Sequence, residues 1–116
     1  MERPGFYSVE LSMSANGSDT DTFAIPSDFE FEVQELQHKK TGACHLDEIS
    51  DKTGGNRIDK AFPVELIAGD GARRVILPTP WVIPPNTTVT VKATDKSAAA
   101  NILNLVFLGV ERRVTG

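Results

Sequence analysis

Apolar and polar residues alternate along most of this chain with a period of two, the mark of strands that bury one face. Tyr7, Val9, Leu11 and Met13 alternate with Ser8, Glu10 and Ser12, which predicts a first strand over residues 6–13 after a short open arm at residues 1–5. Asn16-Gly17 then marks a turn into a second short strand at residues 20–25. Phe29, Phe31 and Val33 alternate with Glu30 and Glu32, but Leu36 arrives one position late. A β-bulge near Gln34 and Glu35 is expected to turn Leu36 back inward. Thr41-Gly42 reverses the chain, and Cys44, Leu46 and Ile49 lie on the returning strand. A three-residue loop would pair Leu36 with Leu46 and Val33 with Ile49. A two-residue loop would set Leu36 against Asp47 and His38 against His45. Matched apolar pairs favour the first.

Further along, residues 50–56 read as a surface loop, and Phe62, Val64 and Leu66 alternate inward with Glu65 outward. Gly69-Asp70-Gly71 is a hairpin signal leading into a strand at residues 73–77. Prolines at 78, 80, 84 and 85 bracket Trp81-Val82-Ile83, which restricts that triplet to an edge strand or a connection between sheets. Val89, Val91 and Ala93 point inward from a threonine-rich strand, and residues 94–100 link it onward with room for one helical turn. The last element, residues 101–110, is the most apolar. Ile102, Asn104, Val106, Leu108 and Val110 fall on one side and Leu103, Leu105, Phe107 and Gly109 on the other. Valine, phenylalanine and glycine favour strand over buried helix here. The run reads as a central strand covered on both faces, or as one lying across a sandwich. About eight short strands with regular turn signals predict an all-β fold: an antiparallel β-sandwich of jelly-roll or similar Greek-key topology, with residues 6–116 as one domain.

A length of 116 residues suffices for one real core, burying roughly 65% of the unfolded surface. The formal charge of −4 argues against a nucleic-acid partner, which needs a clustered basic surface. Cys44 is the only cysteine, so no intrachain disulfide can form and the fold rests on packing. The first residues lack the apolar core of a signal peptide and no segment reaches membrane-spanning length, so neither secretion nor membrane insertion is expected.

Candidate chemistry is sparse. Cys44 with His45 or His38 is the one nucleophile–base pairing available, yet neighbouring strand residues point to opposite faces, so Cys44 and His45 cannot meet. The same residues with Asp47 fall short of a zinc site, which draws on a second ligand cluster, and residues 50–56 lack the ligand spacing of a calcium loop. Carboxylates cluster at Glu30-Glu32-Glu35, Asp19-Asp21 and Asp47-Glu48, in positions where solvated charge is the ordinary role. No phosphate-binding glycine loop is present. The sequence therefore predicts no catalytic residue, no cofactor, no metal and no small-molecule substrate. Association is the remaining role. Trp81, held on a rigid proline-flanked segment, is a candidate anchor for a protein contact. Arg73, Arg74, Arg112 and Arg113 are candidates for pairing with acidic surfaces of a neighbour.

The stretch PWVIPPNTTVTVKATDKSAAANILNLVFLGVERR resembles a pattern in small structural proteins of tailed bacteriophages. It comprises a Pro-aromatic-aliphatic-Pro segment, a Thr/Val strand, a polar link with Asp and Ser, then Asn-aliphatic-x-aliphatic ending in a Gly-x-basic strand. Phe31-Val33, Thr41-Gly42, Arg74 to Leu77 and the opening Tyr7-Val9-Leu11 extend the likeness over most of the chain. The resemblance implies a capsid decoration or cement protein: a non-enzymatic virion component with a β-sandwich fold. It would bind the outer face of the shell, with the major capsid protein and sister copies as partners, after assembly in the host cytoplasm. A head–tail connector, tail or baseplate piece is the second expectation, and a host-recognition or carbohydrate-binding module the third.

Overall fold

The computed structural model describes residues 2–51, 55–58, 60–70 and 72–114. Its strands are β1 (Glu2–Met13), β2 (Ser18–Ala24), β3 (Phe29–Lys40), β4 (Cys44–Asp51), β5 (Gly55–Asn56), β6 (Phe62–Pro63), β7 (Ala68–Gly69), β8 (Ile76–Ile83), β9 (Thr88–Asp95) and β10 (Asn101–Arg113). They form two sheets. Sheet A runs β1-β10-β3 and ends in β7 and β8, both paired to β3; sheet B runs β2-β9-β4 and ends in β5 and β6, both paired to β4. Taking the longer pieces, β1-β10-β3-β8 faces β2-β9-β4-β6, the strand order of a jelly roll. Among the described residues every pairing is antiparallel except that of β3 with β7.

The core lies between the sheets and follows the alternation. Val9, Leu11 and Met13 come from β1, and Leu103, Leu105 and Phe107 from β10. Val89, Val91 and Ala93 of β9 and Cys44, Leu46 and Ile49 of β4 face them, all buried. Phe31, Val33 and Leu36 are buried too, because the expected bulge exists: Leu108 pairs with Glu35 and Gly109 with Val33, leaving Gln34 unpaired. A second bulge in β4 falls between Leu46 and Glu48, and Asp47, at that point, accepts the Thr94 hydroxyl. The turn at Asn16-Gly17 forms as expected, with Asn16 at φ 57° and the Gly17 N–H donating to the Ser14 carbonyl at 2.8 Å.

Several sequence expectations are corrected. Residues 2–5 are strand and no open arm: β1 pairs with β10 from Glu2 onward, and Pro4 is tolerated because β1 is an edge. β10 is central but covered on one face only. β3 and β4 do not form a hairpin. The turn at Thr41-Gly42 carries the chain from sheet A to sheet B, so Leu36 and Leu46 contribute to the core from opposite sheets. The expected strand at 62–68 is two short strands around a 3₁₀ turn, Val64–Leu66, which leaves Leu66 exposed. The strand expected from Arg73 starts at Ile76. Residues 96–100 bend without a helical turn, with Ala98 at φ 60°. Ser50 and Asp51 belong to β4 and pair with β5, while residues 52–54 of the expected loop lie outside the described residues, as does Gly71 of the hairpin signal.

Candidate interaction surface

Each sheet has an outer face, and the two differ in chemistry. Register sets the rows on sheet B: Ser18 beside Thr94 and His45, Thr20 beside Lys92 and Glu48, Thr22 beside Thr90 and Ser50. That face is mainly polar, with Pro63 beside His45 and Ala24 beside Thr88 as its apolar members. On sheet A the rows run Pro4, Val110, Glu32, Val82, then Phe6, Leu108, Glu35, Ile76, then Ser8, Val106, Gln37. A polar row, Glu10, Asn104, Lys39, follows, and Ile102 lies beyond it opposite Ser12. Phe6 is 66% exposed, Ile76 57%, Val82 45% and Ile102 43%, with Val106, Leu108 and Val110 half-buried beside them. The apolar side chains form a patch over β1 and β10 and a second group on β8, with Glu32, Glu35 and Gln37 of β3 between them. Large exposed apolar side chains gathered on one face are the feature that marks a contact surface.

Glu32 and Glu35, the carboxylates lying between the apolar groups, are neutralised in place. Arg112 donates to Glu32 at 2.8 Å and to Glu2 at 2.7 Å, and Arg74 donates to Glu35 at 2.7 Å. The Gln34 amide, and then Arg112, hold the Glu32 carboxyl below its usual range; Arg74, and then Gln37, do the same for Glu35. Arg74 and Arg112 therefore lie on the apolar face but are spent on its own acids.

The other sequence-predicted contact residues lie elsewhere. Arg113 pairs with Asp28 at 3.6 Å and covers the Phe29 ring at 5.2 Å, and Arg73 donates to the Glu65 carbonyl at 2.8 Å. Trp81 sits on edge strand β8 opposite Val33, half-buried against the core, with the Arg57 guanidinium 4.8 Å above its ring. The structure thus brings Arg74 and Arg112 together on one face and leaves Trp81, Arg73 and Arg113 off it.

The candidate nucleophile and its bases do not converge. Cys44 is buried in the core, where desolvation pushes its thiol up, while His45 belongs to the outer face of sheet B. His38 is in the other sheet, its Nδ1 2.9 Å from the Gly69 carbonyl and 3.1 Å from that of Ala68. Among the described residues no group of His, Cys, Asp and Glu is placed to hold a metal ion.

Two polar clusters escaped the sequence reading. At one end of the sandwich Asn101 is 1% exposed and uses its whole amide: Oδ1 accepts from the Thr41 hydroxyl and the Gly42 N–H, and Nδ2 donates to the Ala43 carbonyl and to Asp95, each at 3.0 Å. Asp95 also accepts the Asn16 N–H at 2.8 Å and the Ser97 N–H at 2.9 Å. Three connections are thereby tied to one carboxylate. At the other end Tyr7 donates to buried Glu111 at 2.8 Å, and Arg3 lies 3.4 Å from the same carboxylate. Residues 94–100 were legible as a polar link and Asn101 as the start of a strand; that Asn101 would join Asp95 to the turn at Thr41-Gly42 was not. The open edge of β1 is also guarded: its Glu10 and Ser12 N–H groups donate to the Asp21 and Asp19 side chains at 3.0 and 2.8 Å. Those aspartates, expected to be merely solvated, cap an edge that would otherwise invite strand pairing.

Fold and surface together define a jelly-roll sandwich with one mainly polar outer face and one on which large apolar side chains are exposed among ion-paired carboxylates. Comparison with protein-family models, with curated proteins and with solved structures finds no match to this chain.

Proposed function

We propose that this protein is a non-enzymatic virion structural component: a capsid decoration or cement protein that binds the outer face of a tailed-phage shell and stabilises it. The observation that carries the reading is the asymmetry of the two outer faces. An apolar sheet face of this kind is costly to leave in water and is relieved by docking on another protein. A standard interface covers about 800 Å² per partner. Repetition over a lattice of shell sites, with contacts among sister copies, multiplies a modest single-site affinity. The likeness of residues 80–113 to small phage structural proteins supplies the class of partner.

The test is quantitative mass spectrometry of purified particles. Copies comparable in number to the major capsid protein support decoration. A number matching a single vertex ring supports the second reading, a connector or tail piece. Absence from the particle contradicts both. Stripping the protein from particles should lower their resistance to heat and osmotic shock, and unchanged resistance would count against a cementing role.

A further inference from the structure

The open side of the sandwich, opposite the guarded β1 edge, holds a cavity of about 400 Å³. Its floor is Leu36, Ile49 and Phe107 of the core, and its walls include Phe62 and Ile67 on one side and Leu77 and Trp81 on the other. It arises because β8 pairs with β3 at Ile76 and again at Trp81, so that the intervening Leu77-Pro78-Thr79-Pro80 leaves the ladder and arches over the gap between the sheets. The lining is almost wholly apolar, and the volume lies within the span of roughly 300–1,000 Å³ typical of small-molecule sites.

One polar group in that lining is unanswered. The Trp81 indole N–H is buried and has no hydrogen-bond partner among the described residues. A buried donor without an acceptor is uncommon and costly, and tryptophan normally finds a partner for it. The Arg57 guanidinium, paired with Asp51 at 3.0 Å, covers the ring and fixes its place in the wall.

We propose that this cavity binds a small, mainly hydrocarbon molecule bearing one hydrogen-bond acceptor, with the apolar lining taking the hydrocarbon and the Trp81 N–H donating to the acceptor. The site lies between the sheets and is separate from the outer face of sheet A, so it does not depend on what that face binds. Its charge pattern fits an uncharged ligand, because the one cation among the described residues of its wall, Arg57, is already matched by Asp51.

Trp81 is the chain's single tryptophan, so its indole N–H gives one assignable signal in a proton–nitrogen correlation spectrum of the whole protein. Titration with 2-octanone should move that signal saturably, whereas octane should bind without moving it toward a hydrogen-bonded position. The ketone should bind about threefold to tenfold more tightly, the worth of one neutral hydrogen bond. Ile67→Phe, which fills the cavity from its wall, should weaken both ligands at least tenfold while the rest of the spectrum keeps its dispersion. An indole signal that stays fixed up to the solubility limit of the ketone would overturn the proposal, as would equal affinity for the two probes. Should Ile67→Phe fail to fold, the titration of the unaltered chain decides alone.

Discussion

At the scale of single residues, a buried carboxylate at one end of the sandwich, Asp95, and a phenol at the other, Tyr7, hold those ends together with opposite pH signatures. The Ser97 hydroxyl, followed by the Asn16 and Ser97 amides and the Asn101 side chain, keeps the Asp95 carboxyl well below its ordinary range. An acid held low in the fold supplies stability that is complete above its unfolded pKa, about 3.9, and is lost as the pH falls toward the folded value. The melting temperature should therefore fall steeply below about pH 4. Asp95→Asn should melt lower at neutral pH and show a flatter acid limb, and parallel curves for the two proteins would contradict the role given to Asp95. At the opposite end, burial and then the hydrogen bond to Glu111 push the Tyr7 phenol up to about 12. A raised phenol supplies stability present below about pH 10 and lost as the pH climbs through the folded value. Tyr7 is the only tyrosine, so ultraviolet absorbance titrates it alone. Its midpoint should lie near 12, and Glu111→Gln should bring it down part of the way toward the free value.

At the scale of elements, the period-two alternation made most strands legible, and its one interruption was as informative as its regularity. Leu36 falls out of phase with Val33, and the chain answers with the bulge at Gln34. The partner strand contributes Gly109 at that point, where a Cβ would stand 1.8 Å from the Glu32 carbonyl oxygen. Gly109→Ala should cost about 2–4 kcal/mol in urea unfolding, since backbone rather than a mobile side chain blocks the space; a loss below half a kilocalorie would refute this tight crossing. What alternation does not encode is which strand lies beside which. Leu36 and Leu46 both read as inward, and inward residues can meet side by side in one sheet or face to face across two. The turn at Thr41-Gly42 was legible as a turn, but its passage from sheet A to sheet B depends on Asn101, sixty positions further on for Thr41. The region from Phe62 to Arg74 misled for a different reason. Its apolar residues are spaced like a strand, yet the 3₁₀ turn at Val64–Leu66 rotates Leu66 out to solvent.

At the scale of the whole molecule, jelly-roll closure produces one interior and two exteriors. The sequence showed that β10 was largely apolar on both sides, which fitted either a strand covered on both faces or one lying across a sandwich. In the isolated chain only the Leu103-Leu105-Phe107 side is covered by the second sheet, and the Val106-Leu108-Val110 side is left to be covered by something else. Of the arginines singled out from the sequence, Arg74, Arg112 and Arg113 pair with the chain's own acids and Arg73 with a backbone carbonyl. Contact energy is therefore expected from apolar side chains, with the ion pairs at Glu32 and Glu35 keeping buried charge compensated once the face is occupied. The most direct measurement is co-sedimentation with shells assembled from the cognate major capsid protein. It would compare the cross-strand pair Phe6→Glu/Leu108→Lys on sheet A with the matched pair Thr22→Glu/Thr90→Lys on sheet B. Both variants should stay folded, within about 1 kcal/mol of the unaltered chain. The sheet A variant should bind at least about thirtyfold more weakly and the sheet B variant like the unaltered protein. Shells that retain the sheet A variant fully, or that release both variants alike, would contradict the assignment of the apolar face as the binding surface.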